Sequence, residues 1–244
     1  MSGEVAGPSW QPVPRARAHE LVIAAIEGQI LAGTLTVGDP LPPERDLAAR
    51  LQVSRAGVRE AIRVLEGQGV VRSHVGSGQG AGTFIAALPS TGLTRFLRLH
   101  VALGNFDLDE VVESRVALER TSAALTARHA GPEDLAPVTA ALEAMDEPAI
   151  APETFNLHDT AFHVAIAWAG GNRLVAEMTT AIRDSMRLPL QAAMRQTSDW
   201  AQVCAELRTE HHAIHTALAD RDADRAAELT EAHIRRSYAV LFPR

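Results

Sequence analysis

The stretch ETFNLHDTAFHVAIAWAGGN carries an aspartate and a histidine four residues apart, Asp159 and His163. On a helix that spacing returns to nearly the same face, so both side chains can address one point. Phe155, Phe162 and Ile166 mark the inward face of that helix, and the Asp/His pair flanks it. Two more histidines arrive from separate stretches. His211 lies on the apolar stripe Val203, Leu207, His211, Ile214, Leu218, and His233 on the stripe Leu229, His233, Val240. An isolated aspartate turned toward a core is costly unless it is paired or hydrogen-bonded. Two chemistries satisfy it: a buried polar network with the three histidines, or a divalent metal ion held by all four residues. The metal accounts for the set more economically, because the pair supplies two ligands from one face. His212 lies about 100° around the helix from His211 and is an outer residue, as is His158. His215, about 40° from His211, is the next choice for a ligand.

A second constellation is cationic. In VSRAGVREAIRVLEGQGVV, Arg55, Arg59 and Arg63 are spaced by four and share a helical face beside the apolar Val58, Ile62 and Leu65. Such a face meets anions or is simply solvated. The chain has net charge −7 and no lysine, yet residues 45–72 hold six arginines against Asp46, Glu60 and Glu66. A local basic island in an acidic chain fits a modest nucleic-acid footprint. Arg63 has Glu66 within reach as a partner, so Arg55 and Arg59 are the candidates for base edges, and Arg45 for the backbone.

These residues need helices to position them. The chain is 46% hydrophobic and 4% aromatic, an Ala/Leu-rich composition that reads as mainly α. Residues 1–14 read as a flexible arm with Pro8, Pro12 and Pro14, and 15–88 as the first domain. Its first helix runs from about Arg15 to Ala32 with Leu21, Ile26 and Ile30 among its buried residues. A helix that Pro43 can start, the short QVS break and the arginine helix give a helix-turn-helix layout. VVRS and TFIA bracket GSGQGAG as a β-hairpin wing, with His74 and Ser77 as DNA-contact candidates; a merely flexible hairpin is the competing reading. Residues 89–92 read as a hinge. Beyond them, 93–244 shows only helical patterns, at about 93–103, 108–130, 132–146, 152–169, 172–196, 199–220 and 222–241, with Pro132 and Pro152 at helix starts and GGN as a breaker. One cysteine, no signal-like apolar N-terminus and no run of about 20 apolar residues lead to the expectation of a cytoplasmic protein without a membrane span.

LPPERDLAARLQVSRAGVREAIRVLEGQGVV resembles the winged helix-turn-helix of GntR-family bacterial transcription regulators. The resemblance covers about residues 15–85 and implies operator contacts at Arg45, Arg55 and Arg59 and, loosely, along 74–80. Gln52 departs from the pattern, since glycine usually stands there; a left-handed Gln52 would cost roughly 1–2 kcal/mol. The wing is also longer than usual. ESRVALER, DTAFHVAIAWAGGN, EHHAIHTALADRDADRA and AHI are similar to the FCD effector domain of the FadR-like branch. That likeness implies an all-α bundle with a metal, zinc first and nickel or another transition metal next, on Asp159, His163, His211 and His233. It also implies an effector-facing Arg115; a surface salt bridge with Glu119 is the alternative for that residue.

The combined reading is a homodimeric regulator of double-stranded DNA with a two-fold symmetric operator. A small organic acid would bind the metal's open positions with Arg115 gripping its other end. Two other readings compete: a metal-dependent enzyme, against which stand the lack of an obvious general base and of a His-Glu-x-x-His sequence, and a bundle holding a structural metal.

Overall fold

The computed structural model describes residues 18–74, 81–86 and 91–243. The chain is mainly α, and contacts divide it between Pro89 and Ser90 into two compact units.

The first unit holds α1 (Ala18–Leu31), α2 (Glu44–Leu51), α3 (Arg55–Gly67), β1 (Val71–His74) and β2 (Gly82–Ile85). The two strands pair antiparallel with Val71 opposite Ile85 and His74 opposite Gly82. A third segment joins β2 on its other edge: Leu41 N donates to Thr83 O and Ile85 N to Asp39 O. Val22, Ile26, Leu41, Leu47, Val58, Ile62, Leu65, Val71 and Ile85 close one core. Leu21, expected inside, is 54% exposed. The inward stripe of α1 is Val22 and Ile26, one full turn apart, and Leu21 stands about 100° off it. Pro43 occupies the N-cap of α2, so the first helical residue is Glu44. Gln52 ends that helix at φ +54°, in the left-handed region, its N–H bonded to Ala48 O.

The second unit is a helical bundle: α4 (Thr91–Ala102), α5 (Leu108–His129), α6 (Pro132–Met145), α7 (Pro152–Ala169), α8 (Arg173–Gln196), α9 (Trp200–Ala219) and α10 (Ala223–Leu241). Local chemistry sets the ends. Glu110 accepts from Asp107 N and Asp134 from Gly131 N. Asn172, Asp199 and Asp222 side chains accept the N–H groups of Val175, Gln202 and Arg225. Such caps satisfy donors that the first helical turn leaves open. Pro132 and Pro152 open α6 and α7, where a missing N–H costs nothing. Of the expected hinge, 89 and 90 fall outside the described residues, whereas Thr91 and Gly92 begin α4. Among the described residues, no helix is long and apolar enough to cross a membrane.

Candidate metal centre and nucleic-acid interface

α7 buries Phe155, Phe162 and Ile166 and with them Asp159 and His163; α9 brings His211 and α10 brings His233. One ligand atom from each of Asp159, His163, His211 and His233 lies within 4.8 Å of the others, and none of the four residues is more than 5% exposed. His233 sits at the edge of its helix's inward face, whose centre runs through Thr230, Ile234, Tyr238 and Leu241. Val240, expected to share the stripe, therefore turns out to solvent at 40%. His212 is exposed and faces Asp146, and His215 bonds to Thr139, so neither joins the cluster. His158 is half-buried.

The four residues do not stand alone. Arg183 on α8, 1% exposed, donates through Nη1 to Asp159 Oδ2 at 2.8 Å. Its Nε and Nη2 grip Glu119 on α5 at 2.9 and 2.8 Å. Glu119 also accepts from Arg115 Nε at 2.8 Å and lies 2.8 Å from His163 Nδ1. Arg115 reaches the Tyr238 hydroxyl at 3.0 Å. Glu119 is thus the partner expected for Arg115, but both are fully buried and not on the surface. Arg183 was invisible to the sequence reading. It lies on an α8 pattern with no acidic residue four positions away, and its two carboxylate partners are 24 and 64 residues distant.

Electrostatics keep Asp159 and Glu119 ionised and His163 and His211 neutral. Burial by itself raises the carboxyl pKa values, but Arg183 holds Asp159 well below its ordinary value, and Arg115 and Arg183 do so for Glu119. Desolvation lowers His163 to about 3 and His211 to about 4. A carboxylate can only accept, so the proton of neutral His163 is on Nδ1, facing Glu119, and Nε2 is left as a lone pair. That Nε2 has no hydrogen-bond partner, nor has either ring nitrogen of His211, although His211 Nε2 lies 3.1 Å from Asp159 Oδ1. Buried polar atoms without partners are uncommon. Here the Nε2 atoms of His163 and His211 face Asp159 Oδ1, the oxygen that Arg183 does not hold, at 3.8 and 3.1 Å. Nitrogen and carboxylate donors at this mutual distance suit a first-row transition ion bound at roughly 2.0–2.2 Å, so the residues fit a metal.

In the first unit, Ser54 caps α3 by accepting from Gly57 N at 3.1 Å, and Val58, Ala61, Ile62 and Leu65 face the core. That leaves Arg55, Arg59 and Arg63 exposed on the other side. Arg59 donates through Nε and Nη2 to Glu44 at 3.2 and 2.9 Å. Arg45 is exposed beside Asp46. Glu66 accepts from Ser73 N, within β1, and is not paired with Arg63. His74 ends β1 with its ring edge on Phe84. Ser77 lies outside the described residues. A helix presenting guanidinium groups from its first turn onward, beside a two-stranded wing, suits the major groove.

A family model described as "Bacterial regulatory proteins, gntR family" matches residues 18–84, and one described as "FCD domain" matches 110–236. The Uxu operon transcriptional regulator of Escherichia coli K12 is 31% identical over 221 residues, 87% of this chain and 82% of that protein. The putative L-lactate dehydrogenase operon regulatory protein of the same strain is 29% identical over 228 residues, 91% of this chain and 85% of its own. The solved structure of Streptococcus agalactiae GntR shares the fold, with a TM-score of 0.57 at 23% identity over 89% of this chain and 98% of that one.

Proposed function

The chain belongs to the gntR family of bacterial regulatory proteins, in the branch with an FCD domain, and is a DNA-binding transcription regulator, not an enzyme; we propose that a small carboxylate, bound at a divalent metal ion on Asp159, His163, His211 and His233, controls its operator affinity. One observation carries the reading. The buried Nε2 atoms of His163 and His211, neither with a hydrogen-bond partner, face Asp159 Oδ1 at 3.8 and 3.1 Å, and His233 completes a set of four ligand atoms within 4.8 Å of one another.

Zinc is the first choice of ion for this donor set, with nickel or another transition metal next. The ion would supply open coordination positions for carboxylate oxygens. One relative is named as a putative L-lactate dehydrogenase operon regulatory protein, a name that points to a small hydroxy acid. Arg115 contributes in this reading as a guanidinium of the site, already joined to Glu119 and Tyr238. An acid that uses Arg115 must share or displace the Glu119 interaction. Arg55 and Arg59 read base edges, Arg45 touches the backbone, and His74 and Ser77 support the wing contact. The protein acts as a homodimer on a two-fold symmetric operator, in the cytoplasm.

The test has two stages. Untagged protein should carry about one metal ion per chain; His211→Ala should lose it, and exposed His212→Ala should keep it. Calorimetry with small organic acids, on free protein and on the operator complex, should then give different affinities, because linkage is reciprocal. A tenfold difference corresponds to about 1.4 kcal/mol of coupling. Equal affinities for every acid that binds would overturn the effector role, and metal-free protein would overturn the centre.

A further inference from the structure

The histidines of the cluster are held in two different ways. His163 Nδ1 faces Glu119 Oε2 at 2.8 Å, and His233 Nδ1 faces Glu210 Oε2 at 2.8 Å. His211 has no carboxylate on its outer nitrogen; its Nδ1 is without a partner, and its ring packs against Phe162 and Phe155 with centroids 4.9 and 6.0 Å away. Glu210 is the residue next to His211 in sequence, yet it serves the histidine of the neighbouring helix. Its second oxygen, Oε1, takes Arg236 Nη1 at 2.7 Å, and Arg236 lies one turn beyond His233 on α10. One carboxylate thus joins a deeply buried imidazole to an exposed guanidinium.

We propose that Glu210 is a positioning residue for the metal centre: it fixes the His233 tautomer with the proton on Nδ1 and Nε2 turned to the ion, as Glu119 does for His163. The physical reason is direct. A carboxylate accepts only, so it selects the tautomer, and its negative charge makes the opposite nitrogen a stronger donor. Partners of this kind are worth about 10- to 100-fold in metal affinity. Of the two, Glu210 is the informative one. Glu119 also neutralises two buried arginines, so its removal disturbs folding, whereas Glu210 has a 12% exposed side chain and its other partner is on the surface.

The inference rests on the metal reading, and the experiment separates the two. Zinc affinity is measured by competition with a chelator of known strength, on wild-type, Glu210→Gln, Glu210→Leu and Arg236→Ala proteins, with Tm recorded for each. Cobalt(II) absorption checks that the ligand set is unchanged. Wild type should bind tightly. Glu210→Gln, which keeps an acceptor but not the charge, should bind more weakly, and Glu210→Leu weaker still, by 10- to 100-fold. Arg236→Ala, which leaves Oε2 in place, should change affinity by less than about threefold. The cobalt spectrum at saturation should keep its four-ligand character throughout. Wild-type affinity in both Glu210 variants overturns the positioning role while leaving the centre intact. A wild type that binds neither zinc nor cobalt overturns the centre itself.

Discussion

Arginines in the two units meet opposite fates. On α3, Arg55, Arg59 and Arg63 stand exposed on one face, and the side chain of Arg59 is still 52% accessible while paired with Glu44. In the bundle, Arg115 and Arg183 are at most 2% exposed, and their guanidinium groups grip Glu119, Asp159 and Tyr238. The residue type is the same, and i,i+4 spacing occurs in both places. What differs is water. An exposed guanidinium in high dielectric keeps most of its hydration and can exchange a carboxylate for a phosphate or a base edge. A buried one is fixed by partners whose loss would leave charges stranded in low dielectric. The first kind stays available to a partner, and the second holds the protein's own acids in place.

The sharpest way to break this contrast is Arg183→Met. It leaves Glu119 with fewer counter-charges and Asp159 without its guanidinium, both buried. Unfolding should be easier by about 3–5 kcal/mol, read from the shift of the bundle's transition in urea or heat. Glu44→Gln, which removes the charge that pairs with exposed Arg59, should shift stability by no more than about 1 kcal/mol. If the two substitutions have equal effects, burial is not what distinguishes the two sets.

Removing the ion tests the bundle from another side. A ligand that binds only the folded state at 100 times its Kd stabilises by about 2.7 kcal/mol. A strong chelator should therefore lower the bundle's Tm, and added zinc should restore it. No change in Tm on chelation of metal-loaded protein would mean that folding and metal binding are not linked.

For the exposed set, Arg55→Ala or Arg59→Ala should cost about 1–3 kcal/mol in operator affinity if each makes a bidentate base contact, with little change in Tm. Fluorescence anisotropy on the natural operator, repeated at rising salt, measures this; wild-type affinity in both variants would remove α3 from the contact surface.

The smallest expected effect concerns the turn that carries α3. Gln52 is held at φ +54°. Glycine relieves roughly 1–2 kcal/mol of left-handed strain but loses part of that gain to its freer unfolded chain. Gln52→Gly should stabilise the first unit by about 0.5–1 kcal/mol in denaturant unfolding, and a destabilised variant would show that the glutamine side chain contributes more than its backbone strain removes.

Much of this molecule is set by local rules that a single sequence displays. Prolines and acidic or amide caps placed the starts of α6, α7, α8, α9 and α10, because a helix end is satisfied by residues within one turn of it. Period-3.6 burial put Asp159, His163, His211 and His233 inward and His212 outward, since a face is a property of one helix. The cationic face of α3 was legible for the same reason. Tertiary structure alone decided which helix each face meets. Arg183 with Glu119 spans 64 residues, Arg59 with Glu44 spans 15, and Glu210 serves His233 and not its neighbour His211. Periodicity reports an angle about an axis, and it is silent on the neighbouring axis across which these charges pair. Val240 and Leu21 failed for that reason too: each lies near an apolar stripe, but the packing partner covers only a limited arc, and they stand outside it.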